Sequence, residues 1–392
     1  MANTLGNYNP TIFAALALQQ LEKELGLAGR VFRGYDKNPQ EMGQVINLRR
    51  PSYFTAQSMP ISSANSSNLL TDSVAITLDQ WYGVQFGLTD KELAYTQQRI
   101  IDEHIRPAAI GVADKIDQSL NALAQQIPWY YPVTATAGVA DLPALRRRLF
   151  DNQVPLNDLH LELNGEREQY FLSQDIFLRA NEAGSTASQQ RGALGDKLGF
   201  EIFANQNVAL QQAGTAPTVG NGPATVNVTV TVGQAAIVIA ASTISGVLKV
   251  GDIIQIGSTA STGLTGAART GLRNFVVTAN ATVTSNTITV SISPVASHTV
   301  ATGTTVGFKA GDVTKYDNLA FHRNAFALAM APLPETGRAM GANMASISDP
   351  KTGLALRVSM WYEGYDAQAL VRIDALWGNV VLNQDMAVRY IS

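Results

Sequence analysis

The clearest pattern in the sequence is Ile101–Ile127, IDEHIRPAAIGVADKIDQSLNALAQQI. Its apolar residues recur every three or four positions, which is the period of one apolar face of a helix. Upstream, Thr89 and Glu92 have the spacing of a capping box, in which two side chains satisfy free N–H groups at a helix start. We therefore predict one helix over 89–126, roughly 55 Å long at about 1.5 Å per residue. Pro107 lies inside it and predicts a kink or a break just before that position.

A hairpin with a polar tip is predicted before this helix. Residues 44–50 and 73–85 are predicted as strands, the second from its strict alternation of apolar and polar residues. Between them, 52–72 is rich in Ser, Asn, Thr and Gln and has no period. The two strands form an extended hairpin whose tip has too little apolar surface to fold on its own. Further upstream, 11–26 predicts an amphipathic helix that Thr11 can cap and Gly26 can end.

The composition changes abruptly after residue 205. Up to Phe308 the charged residues are Lys249, Asp252, Arg269 and Arg273, and Thr, Val, Ala, Ser and Gly dominate. Several segments of strand length alternate or run apolar, with turn signals between them. Five or six short strands over about 100 residues predict a small β-barrel or β-sandwich. We infer an all-β domain inserted into an α+β host.

The host has a mixed pattern on both sides of this insertion. Shorter elements are predicted from their period and caps. They are a helix over 141–150 capped by Asp141, a strand over 156–163, a strand and turn over 169–178, a glycine-punctuated loop over 191–199, a strand over 200–205, an apolar helix over 318–330, and strands over 353–362 and 369–376.

The overall composition narrows the classes of function. Hydrophobic residues make up 46% of the chain and charged residues 15%, whereas soluble proteins carry about 25% charged residues. A largely neutral surface suits a protein that its neighbours cover, or a secreted β-protein. The net charge of −3 argues against a dedicated nucleic-acid binder. The lack of cysteine excludes disulfides, thiolate metal sites and cysteine nucleophiles.

Targeting signals are also lacking. The first ten residues have neither the basic nor the apolar region of a secretory signal. No apolar run reaches the about 20 residues that a membrane helix needs. We therefore expect a protein that is made and kept in the cytoplasm, without a membrane partner.

No pattern predicts a catalytic residue, a metal or a cofactor, so we expect that the protein is not an enzyme. The four histidines fall in separate elements, without a partner three or four residues away, and predict ordinary surface or packed side chains. These are His104, His160, His298 and His322. Residues 192–199 have the glycine content of a phosphate loop without its spacing, and predict a structural turn. Asp114 and Asp117, like Asp102 and Glu103, are predicted on a solvated or intersubunit helix face.

Two basic clusters are candidate contacts between subunits. The first cluster stands at the start of the polar hairpin. An extended hairpin becomes ordered only by packing against another surface, so an intersubunit contact is favoured there. The second lies on the helix over 141–150, where contacts to phosphate or acidic groups and simple solubility are equally supported. The candidate intersubunit residues are Arg49, Arg50, Tyr53, Phe54, Arg146, Arg147 and Arg148. The aromatic residues at 360–362 and Trp377 could line a pocket, but a buried core is favoured.

The order of these elements resembles the HK97-like fold of the major capsid proteins of tailed bacteriophages. Asp102–Leu120 resembles their spine-helix segment, Gly195–Phe203 their passage from loop to strand, and Leu319–Leu328 their late helix. Residues 353–377 are similar to their closing strands. The β-rich insertion over 208–312 resembles the inserted domain of coat proteins in the short-tailed phages typified by phage P22. The fold class implied is α+β.

The resemblance implies a division of the chain into named parts. These are an N-terminal arm and helix at 1–42, an extended hairpin loop at 43–88, the spine helix of a peripheral domain at 89–127, the first part of an axial domain at 128–207, the inserted β-domain at 208–312, and the second part of the axial domain with C-terminal peripheral strands at 313–392.

The resemblance also implies a function and partners. The chain would build the icosahedral shell around a double-stranded DNA genome, through pentamers and hexamers of itself. A scaffolding protein and a portal would be partners, with decoration proteins as optional ones, and packaged DNA would lie near without specific contacts. Assembly in the host cytoplasm would give a procapsid that expands on packaging, and the chain would end in the virion.

Several alternatives stay open at this point. Some capsids of this fold crosslink a lysine to an asparagine, but 52–72 contains no lysine, so we expect non-covalent stabilisation. The inserted domain is either an internal brace, which is favoured, or an exposed immunoglobulin-like decoration. A bacterial nanocompartment shell of the same fold, similar to encapsulins, is the alternative function. A β-rich surface adhesin is less favoured because of the long capped helix.

Overall fold

The structure is a computed structural model in which two units of the chain can be described. It describes residues 10–33, 45–49, 59, 73–89, 101–133, 140–179, 190, 192, 194–215, 218–219, 222–262, 268–296, 299–308, 315–349, 353–365 and 368–391. Unit 1 takes its residues from 1–50, 72–120 and 326–382, and unit 2 from 51–71, 121–325 and 383–392. Each unit is therefore assembled from segments far apart in the sequence.

The helices of the described residues include the predicted long one. The α-helices are α1 (Pro10–Glu24), α2 (Arg106–Asn121), α3 (Asp141–Asp151), α4 (Gly165–Leu172) and α5 (Asp175–Leu178). Single turns of π- or 3-10 helix are Leu27–Gly29, Ile101–Ile105, Ala122–Gln126, Arg323–Ala325, Thr336–Met340 and Gln384–Met386. The chain is thus helical from Ile101 to Gln126, as predicted. The π-helical turn gives way to α2 at Arg106, just before Pro107, which confirms the predicted break.

The strands are numbered in chain order. They are β1 (Val45–Arg49), β2 (Ser73–Thr77), β3 (Gln80–Thr89), β4 (Tyr130–Pro132), β5 (Leu159–Leu163), β6 (Gly195–Lys197), β7 (Phe200–Ala204), β8 (Leu210–Gln211), β9 (Thr218–Val219), β10 (Ala224–Val226), β11 (Ala236–Ala240), β12 (Ile244–Ser245), β13 (Val247–Leu248), β14 (Ile253–Thr262), β15 (Ala268–Val277), β16 (Ala281–Thr282), β17 (Thr287–Ser293), β18 (Thr305–Phe308), β19 (Lys315–His322), β20 (Phe326–Ala331), β21 (Asn343–Ser348), β22 (Ala355–Glu363), β23 (Gln368–Val381) and β24 (Ala387–Ile391). Thr89, the predicted helix cap, ends β3, and residues 90–100 lie outside the described residues.

Unit 1 is built on an antiparallel sheet centred on β23. Its order is β20-β23-β22-β21, and β3 pairs with β23 from Gln368↔Thr89 to Trp377↔Gln80. The long helix lies against one face of this sheet. There the Trp377 indole Nε1 donates to the Ser119 hydroxyl of α2 at 3.0 Å, and the Lys115 ammonium lies 5.0 Å from the ring centre of Tyr82. These contacts place Ser119 and Lys115 of α2 beside residues of β23 and β3.

The predicted hairpin before the long helix has a structured base. β1 and β2 pair antiparallel from Val45↔Thr77 to Arg49↔Ser73. Ile46 and Ile76 are buried in a cluster with the alanines of β20 and with Leu376. The base of the hairpin thus belongs to the core of unit 1, while the predicted tip, residues 52–72, lies outside the described residues apart from Met59.

Unit 2 contains a mixed sheet in the order β4-β24-β19-β5-β7-β6, with β8 paired to β19. The last strand, β24, lies in the interior of this sheet, parallel to β4 and antiparallel to β19. Strands distant in sequence therefore meet there, and the end of the chain completes the sheet.

The uncharged region of unit 2 forms a closed barrel in the order β10-β11-β17-β15-β14-β18. Alternate residues of β17 point inward, and Ile237, Ile254, Phe275 and Val290 are among the buried core residues. This confirms the expectation of a small β-structure and gives a barrel instead of a sandwich. Because the barrel and the sheet belong to one unit, an independent inserted domain over 208–312 stays a prediction.

The predicted apolar helix over 318–330 is wrong. The segment consists of β19 and β20, joined by the 3-10 turn Arg323–Ala325, and nearly every residue of both strands is buried. A strand that is buried on both faces has no alternation of apolar and polar residues, so its sequence is indistinguishable from a short buried helix by period alone.

Two further predictions are also wrong, that of a strand over 169–178 and that of Asp141 as a helix cap. Residues 169–178 are not a strand, because α4 and α5 occupy this region, and the Asn164 side chain caps α4 by accepting from the Arg167 N–H at 3.1 Å. Asp141 does not cap α3, whose N-cap is Ala140. The buried carboxylate of Asp141 instead accepts a hydrogen bond from the Tyr390 hydroxyl at 2.6 Å. The error at Asp141 arose because caps and tertiary partners compete for the same polar residues.

Gly378 in β23 provides a test of the packing in unit 1. A Cβ atom at this position would overlap the carbonyl oxygen of Thr77 and lie 2.9 Å from its carbonyl carbon. We expect Gly378→Ala to lower the free energy of unfolding by about 1–3 kcal/mol, as overpacking does. Urea denaturation would measure the loss.

The matched control for this substitution is Gly364→Ala in the turn after β22. No atom lies within 4 Å of a Cβ atom built there, and we expect a change within about 0.5 kcal/mol. Equal effects of the two substitutions would contradict the described close approach of β23 to Thr77.

Candidate assembly surfaces and buried charge clusters

The first predicted basic cluster lies at the edge of the described residues. Arg49 ends β1, where its backbone pairs with Ser73. Arg50, Tyr53 and Phe54 lie outside the described residues. The predicted intersubunit contacts of these four residues therefore stay a prediction.

The second cluster, Arg146–Arg148, consists of three side chains in different environments. The Arg146 Nη1 donates to the Leu198 carbonyl oxygen at 2.8 Å. The Arg148 guanidinium lies 4.3 Å from the ring centre of Trp129, and burial lowers its pKa from the ordinary value. Arg147 is 83% exposed and lies 3.8 Å from Asp151. Within this part of the chain, Arg147 is the member of the cluster that faces solvent.

A buried ion pair lies in the sheet of unit 2, and its arginine also contacts the barrel. The Arg389 Nη2 lies 2.8 Å from the Asp317 carboxylate, and both side chains are fully buried. Arg389 also donates to the Gly251 carbonyl oxygen at 2.7 Å and to the Gln211 side-chain oxygen. Burial raises the pKa of Asp317, and the Arg389 guanidinium opposes that rise. Gly251 belongs to the barrel, whereas Arg389 and Asp317 belong to the sheet.

Asp252, in the turn before β14, is hydrogen-bonded to β8 and the segment after it, and to its own turn. The Asp252 carboxylate accepts from the Gln211 Nε2 at 3.2 Å and from the backbone N–H groups of Gly214 and Lys249 at 3.1 and 2.8 Å. Burial raises the pKa of Asp252, and the backbone hydrogen bonds from Lys249 and Gly214 oppose that rise only in part. Gln211 therefore contacts both Arg389 and Asp252 and bridges the two charged groups.

A second charged contact attaches the barrel to the end of the chain. Arg273 of β15 lies 3.6 Å from the Asp385 carboxylate, which also accepts from the Trp129 indole Nε1 at 2.8 Å. The Asn152 amide donates to the Asp385 carbonyl oxygen at 3.1 Å. Of the four charged residues in the barrel region, Asp252 and Arg273 thus both lie at contacts with the rest of unit 2.

Unit 1 has its own buried ion pair. The Arg357 guanidinium binds the Asp374 carboxylate through two hydrogen bonds, of 3.0 and 2.5 Å. The Trp81 indole Nε1 donates to the same carboxylate at 3.0 Å, and Arg372 lies 3.6 Å away. This cluster fixes β3, β22 and β23 in register, and it leaves Trp81 half-exposed.

Asp117 corrects the expectation for the acidic residues of the long helix. Asp114 is exposed, as predicted, but Asp117 is buried. Its carboxylate accepts from the backbone N–H groups of Gly26 and Ala28 at 2.8 and 3.0 Å. Burial raises the pKa of Asp117, and the backbone hydrogen bonds oppose that rise. The residue anchors the segment after α1 to α2, and it is not part of a solvated face.

The histidines and the glycine-rich segment behave as predicted where they are described. His322 is buried, which lowers its pKa, and His104 stacks on Phe86 at 5.6 Å. His160 lies 2.9 Å from Glu201, and His298 is outside the described residues. Among the described residues, no group of three or more potential ligands could hold a metal ion. Residues 195–204 form the hairpin of β6 and β7, which confirms a structural turn.

The aromatic residues near the C-terminus divide between core and surface. Trp377 is fully buried, as predicted. Tyr362 is exposed, and Trp361 is half-buried with the Arg372 guanidinium 5.5 Å from its ring centre. The expectation of a buried core was therefore wrong for Tyr362. No helix among the described residues is long and apolar enough to span a membrane.

The buried charge clusters had little signal in the sequence. Arg389, Asp317 and Arg357 stand in segments of ordinary strand composition, with partners 17 to 178 positions away. The one available signal is the scarcity of charge in the barrel region: where only four charged residues occur over a hundred positions, those four are candidates for specific contacts.

Comparisons with known proteins give distant structural matches. No protein-family model and no curated protein matches the chain. The capsid of Ralstonia phage GP4 is 8% identical with a TM-score of 0.48, over 94% of this chain and 88% of that chain. A chain from Mycobacterium phage Che8 is 12% identical with a TM-score of 0.46, over 93% and 90%. The virus-like particle from Pyrococcus furiosus is 7% identical with a TM-score of 0.37, over 97% of each chain.

The buried Asp117 carboxylate should give the stability a defined pH dependence. Burial raises its folded-state pKa above the ordinary 3.8, so the folded protein binds this proton more tightly than the unfolded chain does. Its contribution is then constant below the unfolded-state pKa and falls as the pH rises through the folded-state pKa. We expect the free energy of unfolding of wild type, relative to Asp117→Asn, to decrease as the pH rises from about 4 to 7. Urea denaturation across this range measures the difference.

Gln118→Ala is the control for this experiment. Gln118 is exposed on the same helix and does not titrate, so its difference from wild type should not change with pH. A difference between wild type and Asp117→Asn that moves in favour of wild type as the pH rises would contradict the described burial.

Proposed function

We propose that this chain is a major capsid protein with an HK97-like fold, which assembles into the icosahedral shell of a tailed phage. The observation that carries the proposal is the hairpin of β1 and β2. Its base is in register up to Arg49↔Ser73 and is packed into the core of unit 1. The sequence between β1 and β2, residues 50–72, is rich in Ser, Asn, Thr and Gln. A polar segment of this kind gains order by binding to another chain.

The edge of the sheet in unit 1 supports the same proposal. Among the described residues, β3 pairs along one edge only, and Gln80–Thr89 contains no charged residue and no proline. Trp81 and Tyr82 are 47% and 48% exposed. Monomeric proteins protect such edges with charges, prolines or bulges. An uncharged edge of ten residues with two half-exposed aromatic rings is suited to being covered by a neighbouring copy.

The finer parts of the proposal follow from the resemblance of the sequence to phage coat proteins. The chain would form pentamers and hexamers, assemble with a scaffolding protein and a portal into a procapsid, and enclose double-stranded DNA. The hairpin would reach over an adjacent subunit. The buried, hydrogen-bonded character of the polar clusters gives them structural roles, and we propose no enzymatic activity.

Assembly of the purified chain tests the proposal directly. We expect closed particles, or sheets and tubes when no scaffolding protein is present, visible by negative-stain microscopy and as large species in light scattering. A chain that stays a stable monomer at high concentration would contradict the proposal. Particles isolated from their natural source separate the phage shell from a nanocompartment shell, because the first protects double-stranded DNA from nuclease and the second holds protein cargo.

We also propose that the barrel is an internal brace for unit 2. Its charged residues Asp252 and Arg273 both lie at contacts with the rest of the unit, one near Arg389 and the other at Asp385. Both contacts lead to the last ten residues of the chain, which contribute the interior strand β24. The position of β24 thus depends on hydrogen bonds that only the folded barrel supplies, above all the carbonyl oxygen of Gly251.

Arg389→Met tests this brace. Removal of one member of a buried ion pair leaves an uncompensated charge and costs about 3–5 kcal/mol of unfolding free energy. We expect a loss of this size in chemical denaturation, together with faster amide hydrogen exchange in β14 and β15 of the barrel. Arg323→Met is the control, because Arg323 is exposed, and it should change the stability by less than about 0.5 kcal/mol. Full protection of β14 and β15 in Arg389→Met would contradict the brace.

A further inference from the structure

We infer that the exposed face of α3 is a docking site for the first turn of α4 of a second copy of this chain. The inference rests on the proposed function and names one contact through which it would operate. The docking surface is defined by Arg146, Arg147, Phe150 and Leu198. The opposing surface is defined by Gly165, Glu166 and Gln169.

The apolar part of the docking surface is exposed in the isolated subunit. Phe150 is 62% exposed at the end of α3, and Leu198 is 45% exposed in the turn between β6 and β7. Leu198 also has a φ of 51°, in the left-handed region. A residue with a Cβ atom pays roughly 1–2 kcal/mol for this conformation, and glycine or asparagine is the usual choice in such a turn. An exposed leucine held there is explained if its side chain is covered in the assembly.

The two apolar side chains belong to one surface because Arg146 connects them. The Arg146 Nη1 donates to the Leu198 carbonyl oxygen at 2.8 Å. On the helix, Arg146 and Phe150 are four residues apart, and Arg147 and Phe150 are three apart, so all three share a side of α3. The guanidinium of Arg147, which is 83% exposed, forms a positive edge beside the ring of Phe150.

The first turn of α4 has the complementary charge. The Glu166 side chain is 63% exposed, and its partner in the same chain, Arg167, lies 3.3 Å away and is itself largely buried. Gln169, one turn further on, is exposed as well. Gly165 has no atom within 4 Å of a Cβ built on it, which leaves room beside Glu166 for an aromatic ring. The carboxylate of Glu166 can therefore meet Arg147 of another copy while Phe150 lies over Gly165.

Rings of identical subunits need such a pair of surfaces. A contact around a five-fold or six-fold axis joins two different patches of the same protein, because each subunit meets its neighbours head to tail. The docking surface on α3 and the acidic turn of α4 both belong to unit 2, so one unit carries both halves of the contact.

A charge exchange tests the contact. Arg147→Glu alone and Glu166→Lys alone should each raise the protein concentration at which half of the chain is assembled by about tenfold, because like charges then face each other. The double variant restores the attraction and should return this concentration to within about threefold of wild type. Phe150→Ala should also weaken assembly while leaving the thermal unfolding of the subunit unchanged, because the ring is exposed. Sedimentation and light scattering measure assembly.

Arg323→Glu is the matched control, since it makes the same change of charge at another exposed arginine and should assemble like wild type. Wild-type assembly of both single variants, or a double variant no better than the weaker single one, overturns this contact and leaves the proposed function standing. A wild-type chain that stays monomeric overturns the proposed function and this contact together.

Discussion

The ion pair between Arg389 and Asp317 is the interaction on which unit 2 depends. Both side chains are fully buried, and two buried charges are tolerated only where further hydrogen bonds compensate the lost water. Gly251 of the barrel and Gln211 beside β19 supply these bonds. Because these two acceptors come from different parts of the unit, the Arg389 guanidinium is satisfied only when the barrel, the sheet and β24 are all in place. It therefore links the formation of these three parts.

Unit 1 also contains a buried ion pair, between Arg357 and Asp374. The carboxylate is held by two guanidinium hydrogen bonds and by the indole of Trp81, which places three strands in one register. In this arrangement the ring of Trp81 stays half-exposed along an uncharged strand. The two charges of this pair are thus satisfied inside the unit, while two half-exposed aromatic rings, Trp81 and Tyr82, lie on the edge strand β3.

Sequence patterns were sufficient where one local rule governs a segment. The helix over 101–126, the break before Pro107, the paired base of the hairpin and the small β-structure of the uncharged region were all predicted from period, turn residues and composition. Sequence patterns failed at β19 and β20, where burial on both faces removes the alternation that marks a strand. They also failed at Asp141 and Asp117, because an acidic residue on a helix has the same sequence appearance whether it caps, faces solvent or binds a distant group.

The basic cluster at 146–148 shows the same limit at the candidate interface. Arg148 packs on Trp129, whereas Arg146 and Arg147 lie on the side of α3 that carries Phe150, so only part of the cluster can face one partner. Which member is exposed depends on Trp129, Leu198 and Asp151, and none of these positions is fixed by the helix itself.

By itself the sequence determined the long helix, the polar hairpin and a nearly uncharged β-region, because these follow from short-range periodicity and from composition. Only the tertiary structure decided that this region closes as a barrel, that the last strand enters the interior of a sheet, and that Arg389, Asp252 and Asp117 are buried and paired. Their partners are tens to hundreds of residues away, and such pairings depend on where the backbone brings the side chains together. No local pattern in a single sequence records that.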